Sequence, residues 1–145
     1  MIHPSPTTRI DPKLARGVLV EVQGATASLP GVVVISFPNS NYRVSLRATR
    51  PVTTAIGKRI IGTISASARR MDRVKTGGRY VEPVYGPIRR AQGAVVEVTP
   101  EAVVVDAGFP IHCVPTDPRQ APAQFQTGDF LSFDVLPDVT FTPAD

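Results

Sequence analysis

Gly17-Val18-Leu19-Val20-Glu21-Val22 returns 76 residues later as Gly93-Ala94-Val95-Val96-Glu97-Val98. A glycine followed by alternating apolar residues has the period of a half-buried strand, with Val18, Val20 and Val22 on one face. A second echo, Gly57-Lys58-Arg59-Ile60 against Gly128-Asp129-Phe130-Leu131, is spaced by 71 residues. The two echoes imply two similar small barrels, at about 17–68 and 93–136, with a connecting segment between them.

Further short strands surround these runs. Val32-Val33-Val34-Ile35-Ser36-Phe37 is strongly apolar, and Pro38-Asn39-Ser40-Asn41 is turn chemistry. In Tyr42-Arg43-Val44-Ser45-Leu46-Arg47 the apolar residues Tyr42, Val44 and Leu46 share one face, and Arg43, Ser45 and Arg47 the other. Gly62, inside the strand that begins at Gly57, marks a bulge or a close backbone approach. Ser65 to Val74 is the one stretch where a helical turn is expected, and Pro83 makes Tyr80 to Tyr85 an edge or irregular strand. With 15 Pro and 11 Gly in 145 residues, and Val, Ile and Ala dominating the apolar 42%, the chain reads as all-β. The expected architecture is a small OB-like β-barrel, or two tandem small barrels joined by a basic connecting segment. The corresponding division is a tail over 1–15, a first barrel over 16–68, the basic segment over 69–92, a second barrel or an extension of the first over 93–136, and a tail over 137–145.

Charge is divided along the chain. Residues 1–90 hold 15 Lys/Arg and 4 Asp/Glu, while 91–145 hold 1 and 8. Such asymmetry favours either a polyanionic partner for the basic part or attraction between two oppositely charged parts. No run of about 18 apolar residues occurs, and the start lacks a charged and apolar leader, so membrane insertion and export are not expected. A single cysteine, Cys113, is compatible with a reducing compartment, and the cytoplasm is the expected location.

Gly31-Val32-Val33-Val34, then Pro38-Asn39, Tyr42-Arg43-Val44, Leu46 and Ile56-Gly57-Lys58, resembles the first strands of bacterial translation initiation factor one. Gly77-Gly78-Arg79-Tyr80, Val81-Glu82, Tyr85, Arg90 and Gly93 are similar to that family's closing strand and basic end. The likeness spans about 65 residues, from 31 to 96. It implies a single OB-fold barrel, related to S1 RNA-binding domains, with affinity for RNA. It divides residues 17–98 differently from the duplication, and the sequence leaves both divisions open.

The candidate binding residues are cationic and aromatic. Arg69, Arg70, Arg73, Lys75, Arg79, Arg89 and Arg90 are interleaved with Tyr80 and Tyr85, which pairs phosphate contacts with stacking rings as single-strand-binding surfaces require. Arg43 and Arg47 extend that set if their strand lies on the barrel's binding face, while Tyr42 is expected in the core. A solvated loop, or docking on the acidic third, is the competing use of the same charges. His112 and Cys113 are strand neighbours that point to opposite faces and cannot converge on one metal, and His3 has no visible partner. Gly57-Lys58 is no phosphate loop, because Val52 and Arg59 stand where glycine and Ser/Thr are needed. Asp106, Asp117, Asp129, Asp134 and Asp138 have no calcium spacing. No catalytic residue, metal or cofactor is therefore expected. The leading expectation is a non-catalytic module for RNA or single-stranded nucleic acid. The alternative is a structural or adaptor protein that self-assembles, as a homo-oligomer or larger protein assembly, through basic-to-acidic subunit contacts.

Overall fold

Valine and isoleucine at alternate positions, cut by glycine and proline, build short strands. The computed structural model describes residues 11–75 and 77–144, so most of the expected first tail, with His3, lies outside the described residues. The described strands are β1 (Ala15–Gln23), β2 (Val32–Ser36), β3 (Arg43–Ala48), β4 (Arg59–Ala68), β5 (Asp72–Arg73), β6 (Tyr80–Glu82), β7 (Tyr85–Pro87), β8 (Arg90–Val98), β9 (Val103–Asp106), β10 (Pro110–Pro115), β11 (Phe130–Asp134) and β12 (Thr140–Pro143). Among the described residues no helix is long and apolar enough to cross a membrane.

β1 pairs antiparallel with β2 and with β4, and β2 pairs antiparallel with β3. β12 lies parallel to β3 and antiparallel to β4, which closes a ring in the order β1-β2-β3-β12-β4. This ring is a small OB-like barrel. β8, β9, β10 and β11 repeat the arrangement of β1 to β4, pair for pair. Here the closing strand is the C-terminal half of β4, Ser65–Ala68, parallel to β10 and bridged to Val135 beyond β11. Each ring thus takes its fifth strand from the other repeat.

The duplication extends to individual hydrogen bonds. Gly57 N–H donates to the Leu19 carbonyl at 2.7 Å, and Gly128 N–H to the Val95 carbonyl at 3.0 Å. Leu19 N–H donates to Lys58 and Val95 N–H to Asp129, and Thr49 N–H meets Phe141 as Thr116 N–H meets Ala68. Both repeats carry a bulge at the same place, between Leu19 and Glu21 and between Val95 and Glu97. Gly17 and Gly93 explain why glycine recurs: a Cβ at either would collide with the backbone of the neighbouring strand, at the Ser36 and Asp106 carbonyl oxygens respectively.

One apolar core runs through both rings. Leu19, Ile35, Leu46, Ile64 and Phe141 from the first ring, and Ile111, Leu131 and Phe133 from the second, are all buried within it. Cys113 belongs to the same core, and burial pushes its thiol well above the ordinary range. Native protein is expected to be inert to a thiol reagent such as Ellman's at pH 8, with one equivalent reacting in denaturant. Rapid labelling of the native chain would show that the second ring opens.

Several expectations are corrected. Residues 16–68 and 93–136 are not two separate barrels, because the closing strands are exchanged. The expected tail from 137 carries β12, whose Phe141 is fully buried. Ser65 to Val74 holds no helical turn; Ser65–Ala68 is bonded between neighbouring strands and Asp72–Arg73 pairs with β11. The helical element among the described residues is a 3-10 turn at Pro122–Gln124. In β1 the bulge reverses the alternation, so Ala15, Gly17 and Leu19 point inward and Val18 lies half-buried on the outside. Gly62 marks a close approach, since a Cβ there would strike the Phe141 ring and the Thr142 carbonyl. Tyr42 packs against the core, as the period-two pattern requires.

Candidate nucleic-acid interface

The basic segment is dispersed over the fold. Arg79 pairs with Asp106 at 3.4 Å, and Arg90 reaches Asp134 at 2.9 Å and the Ser132 hydroxyl at 2.6 Å. The Asp134 carboxylate raises the Arg90 guanidinium further above its usual value. The Tyr80 hydroxyl donates to the Gln92 side chain. Arg73 bonds Asp129 at 3.2 Å and the Gln124 carbonyl at 2.5 Å, and its guanidinium lies 5.1 Å from the centre of the Phe125 ring. These four residues are committed to their own chain.

Ion pairing follows the charge asymmetry. Lys13–Glu97, Arg47–Asp138, Arg73–Asp129, Arg79–Asp106 and Arg90–Asp134 each join the basic part of the chain to the acidic part. All include an exposed or half-exposed partner, so each contributes about 0–1 kcal/mol and orients the repeats more than it stabilises them. Arg70 pairs locally with Asp72. Together with Arg119 it borders two adjoining concavities of about 370 and 430 Å³, the second of which Arg69 also lines. Arg119 holds Asp117 in a two-bond fork, which lowers that carboxyl to about 2. Positive charge in this cleft is therefore largely answered by Asp72, Asp117 and Asp129. Lys75 and Arg89 are exposed and have no side-chain partner among the described residues.

A different arrangement occupies the outside of the first ring. Register partners run in one line across five strands: Arg59 on β4, Val18 on β1, Ser36 on β2, Arg43 on β3 and Tyr85 on β7. Residues directly opposite in a sheet point to the same side, here outward, and five strands span roughly 19 Å at the usual strand spacing. Tyr85 is 65% exposed. Among the described residues the Arg43 and Arg59 side chains have no partner, and neither has Arg16, two residues before Val18 on the same face of β1. In the second ring the same line reads Phe130, Ala94, Asp106 and Pro110, without a cation.

Of the sequence candidates, the structure thus brings Arg43 and Tyr85 together on the face of strands two and three, with Arg47 further along β3. It separates them from the Arg69–Arg73 cleft. Arg16 and Arg59 were missed because they lie outside the basic run, although Arg16 directly precedes Gly17 and Arg59 lies inside the Gly57–Ile60 stretch of the second echo. No group of His, Cys, Asp or Glu among the described residues could hold a metal ion. The His112 ring is instead bonded to the Lys13 carbonyl at 2.9 Å, and the Cys113 thiol to Ile111. No family model, curated protein or solved structure matches the chain.

Proposed function

We propose that this protein is a non-catalytic binding module that holds single-stranded RNA or DNA across the outside of its first barrel. The observation that carries this is the line Arg59–Val18–Ser36–Arg43–Tyr85, in which unpartnered cations and an exposed ring share one open face. Guanidinium groups meet phosphates whatever the sequence, and a tyrosine ring stacks on any base. In OB folds the face of strands two and three is a common oligonucleotide surface, which is where Arg43 lies. The resemblance to initiation factor one is in keeping with an RNA ligand. Self-assembly through opposite charges receives less support, because most acidic residues among the described residues already meet basic residues of their own chain.

Fluorescence anisotropy of a labelled 12-nucleotide RNA between 50 and 200 mM salt tests the proposal. Three phosphates neutralised by Arg16, Arg43 and Arg59 give a roughly twentyfold loss of affinity over that range, at a slope near −0.7 per contact. Engagement of the whole basic segment, with about seven contacts, would give roughly a thousandfold loss instead. Folded protein that binds nothing at 50 mM salt would end the nucleic-acid assignment.

A further inference from the structure

Beside Arg43 and Tyr85 the outer face deepens into a concavity of about 410 Å³, walled on one side by the loop that joins β2 to β3. That loop is anchored from below. Phe37 stacks on Phe109 with ring centres 4.0 Å apart, and Tyr42 meets the same ring edge-on at 5.9 Å. The Val81 N–H donates to the Tyr42 hydroxyl at 3.2 Å, which ties the loop to β6 as well. Internally, the Ser40 hydroxyl donates to the Phe37 carbonyl at 2.7 Å and accepts from Tyr42 N–H.

These bonds leave two carboxamides uncommitted. Asn39 and Asn41 line the concavity, both exposed, with no side-chain partner among the described residues. Asn39 sits at φ 61°, a left-handed conformation that asparagine tolerates better than most residues. The site therefore combines a stacking ring, a free guanidinium and two side chains that each offer one donor and one acceptor. A held loop meets less ordering cost on binding than a floppy one.

We infer that this concavity is a base-reading site within the proposed nucleic-acid surface, and that the base it prefers is a purine. The inference rests on the nucleic-acid assignment above. A carboxamide pairs with an edge that presents an acceptor next to a donor, as asparagine does with adenine N7 and N6. Adenine carries a second such edge, N1 with N6, so two carboxamides approaching from different positions can both be satisfied. Guanine carries two as well, O6 with N1–H and N3 with the N2 amino group, whereas cytosine has one and the two of uracil share a single N3–H. The larger purine also covers more of the Tyr85 ring.

The test compares A12, C12 and U12 RNA by anisotropy at 50 mM salt, using the full chain and a variant carrying Asn39→Gly and Asn41→Ala. Glycine is chosen at 39 because it accepts positive φ without strain. Thermal unfolding of the variant checks that the fold is retained. The expected result is roughly tenfold tighter binding of A12 than of U12 or C12, with that preference reduced to twofold or less in the variant. Equal binding of all three RNAs by the unmodified protein would overturn base reading while leaving the nucleic-acid assignment intact. A preference that survives in the variant would overturn its placement at Asn39 and Asn41. Failure to bind any of the three would instead remove the nucleic-acid assignment, and this inference with it.

Discussion

A chain ended after Asp138 is expected to lose cooperative folding altogether. β12 supplies the parallel neighbour of β3 and the antiparallel neighbour of β4, so its removal opens the first ring along both edges. Phe141 fills the centre of that ring at 0% exposure, and Phe141→Ala alone should cost about 3–5 kcal/mol. That is a large share of the roughly 5–15 kcal/mol by which a domain is stable. The damage does not stop at the first ring. Gly62 to Ser65 pair with β12 while Ser65 to Ala68 pair with β10, so one strand serves both closures. Calorimetry of the full chain should show a single transition, and the truncated chain none. A synthetic peptide covering 137–145, added in trans, should restore part of the transition. A truncated chain that melts within a few degrees of the full one would show that ring closure contributes little.

The second large effect concerns binding. Arg43→Ala with Tyr85→Ala should weaken single-stranded RNA binding by about 30- to 1000-fold, from one stacked base and one phosphate contact. Neither side chain belongs to the buried core, and the melting temperature should stay within a few degrees. Arg70→Ala with Arg73→Ala is the complementary variant. It removes two pairs that bind the chain to itself, Arg70–Asp72 and Arg73–Asp129, and the Arg73 contact with Phe125. It should lower stability by about 1–2 kcal/mol and change RNA affinity by less than threefold. The opposite ranking, with the second variant weaker on RNA, would move the interface to the cleft beside Arg119.

These two variants also separate what was legible in the sequence from what was not. The duplication was legible because a backbone constraint recurs: Gly17 and Gly93 stand where a Cβ would strike the neighbouring strand, and Gly57 and Gly128 make the same bond to the first strand of their repeat, β1 and β8. Alternation placed Val44 and Leu46 inside and Arg43 and Arg47 outside, and the structure agrees. Exchange of the fifth strands was not legible. Ser65–Ala68 and Thr140–Pro143 have similar patterns and meet similar edges, so periodicity cannot say which ring each one closes.

The candidate site was half legible for a related reason. A run of arginines advertises charge but not its neighbours. Asp106 is remote from Arg79 in sequence, and Asp129 from Arg73, yet the fold sets each pair within hydrogen-bond or ion-pair reach. The line of Arg59, Arg43 and Tyr85 exists only once register is known, because its members come from three separate stretches of chain. Arg43, named from the alternation of its strand, and Tyr85, named as a ring within the basic segment, kept a place on the open face. Of those named from the density of charge, Arg73, Arg79 and Arg90 were absorbed by the acidic part.

The most direct test of the interface is ultraviolet crosslinking of single-stranded RNA to the full chain, with the linked peptides identified by mass spectrometry. The expected result is a dominant crosslink at Tyr85, with lesser ones from the 37–43 loop. Crosslinks confined to Arg69–Arg73 and the neighbouring 116–125 loop, with none at Tyr85, would contradict the placement of the nucleic acid on the first barrel's outer face.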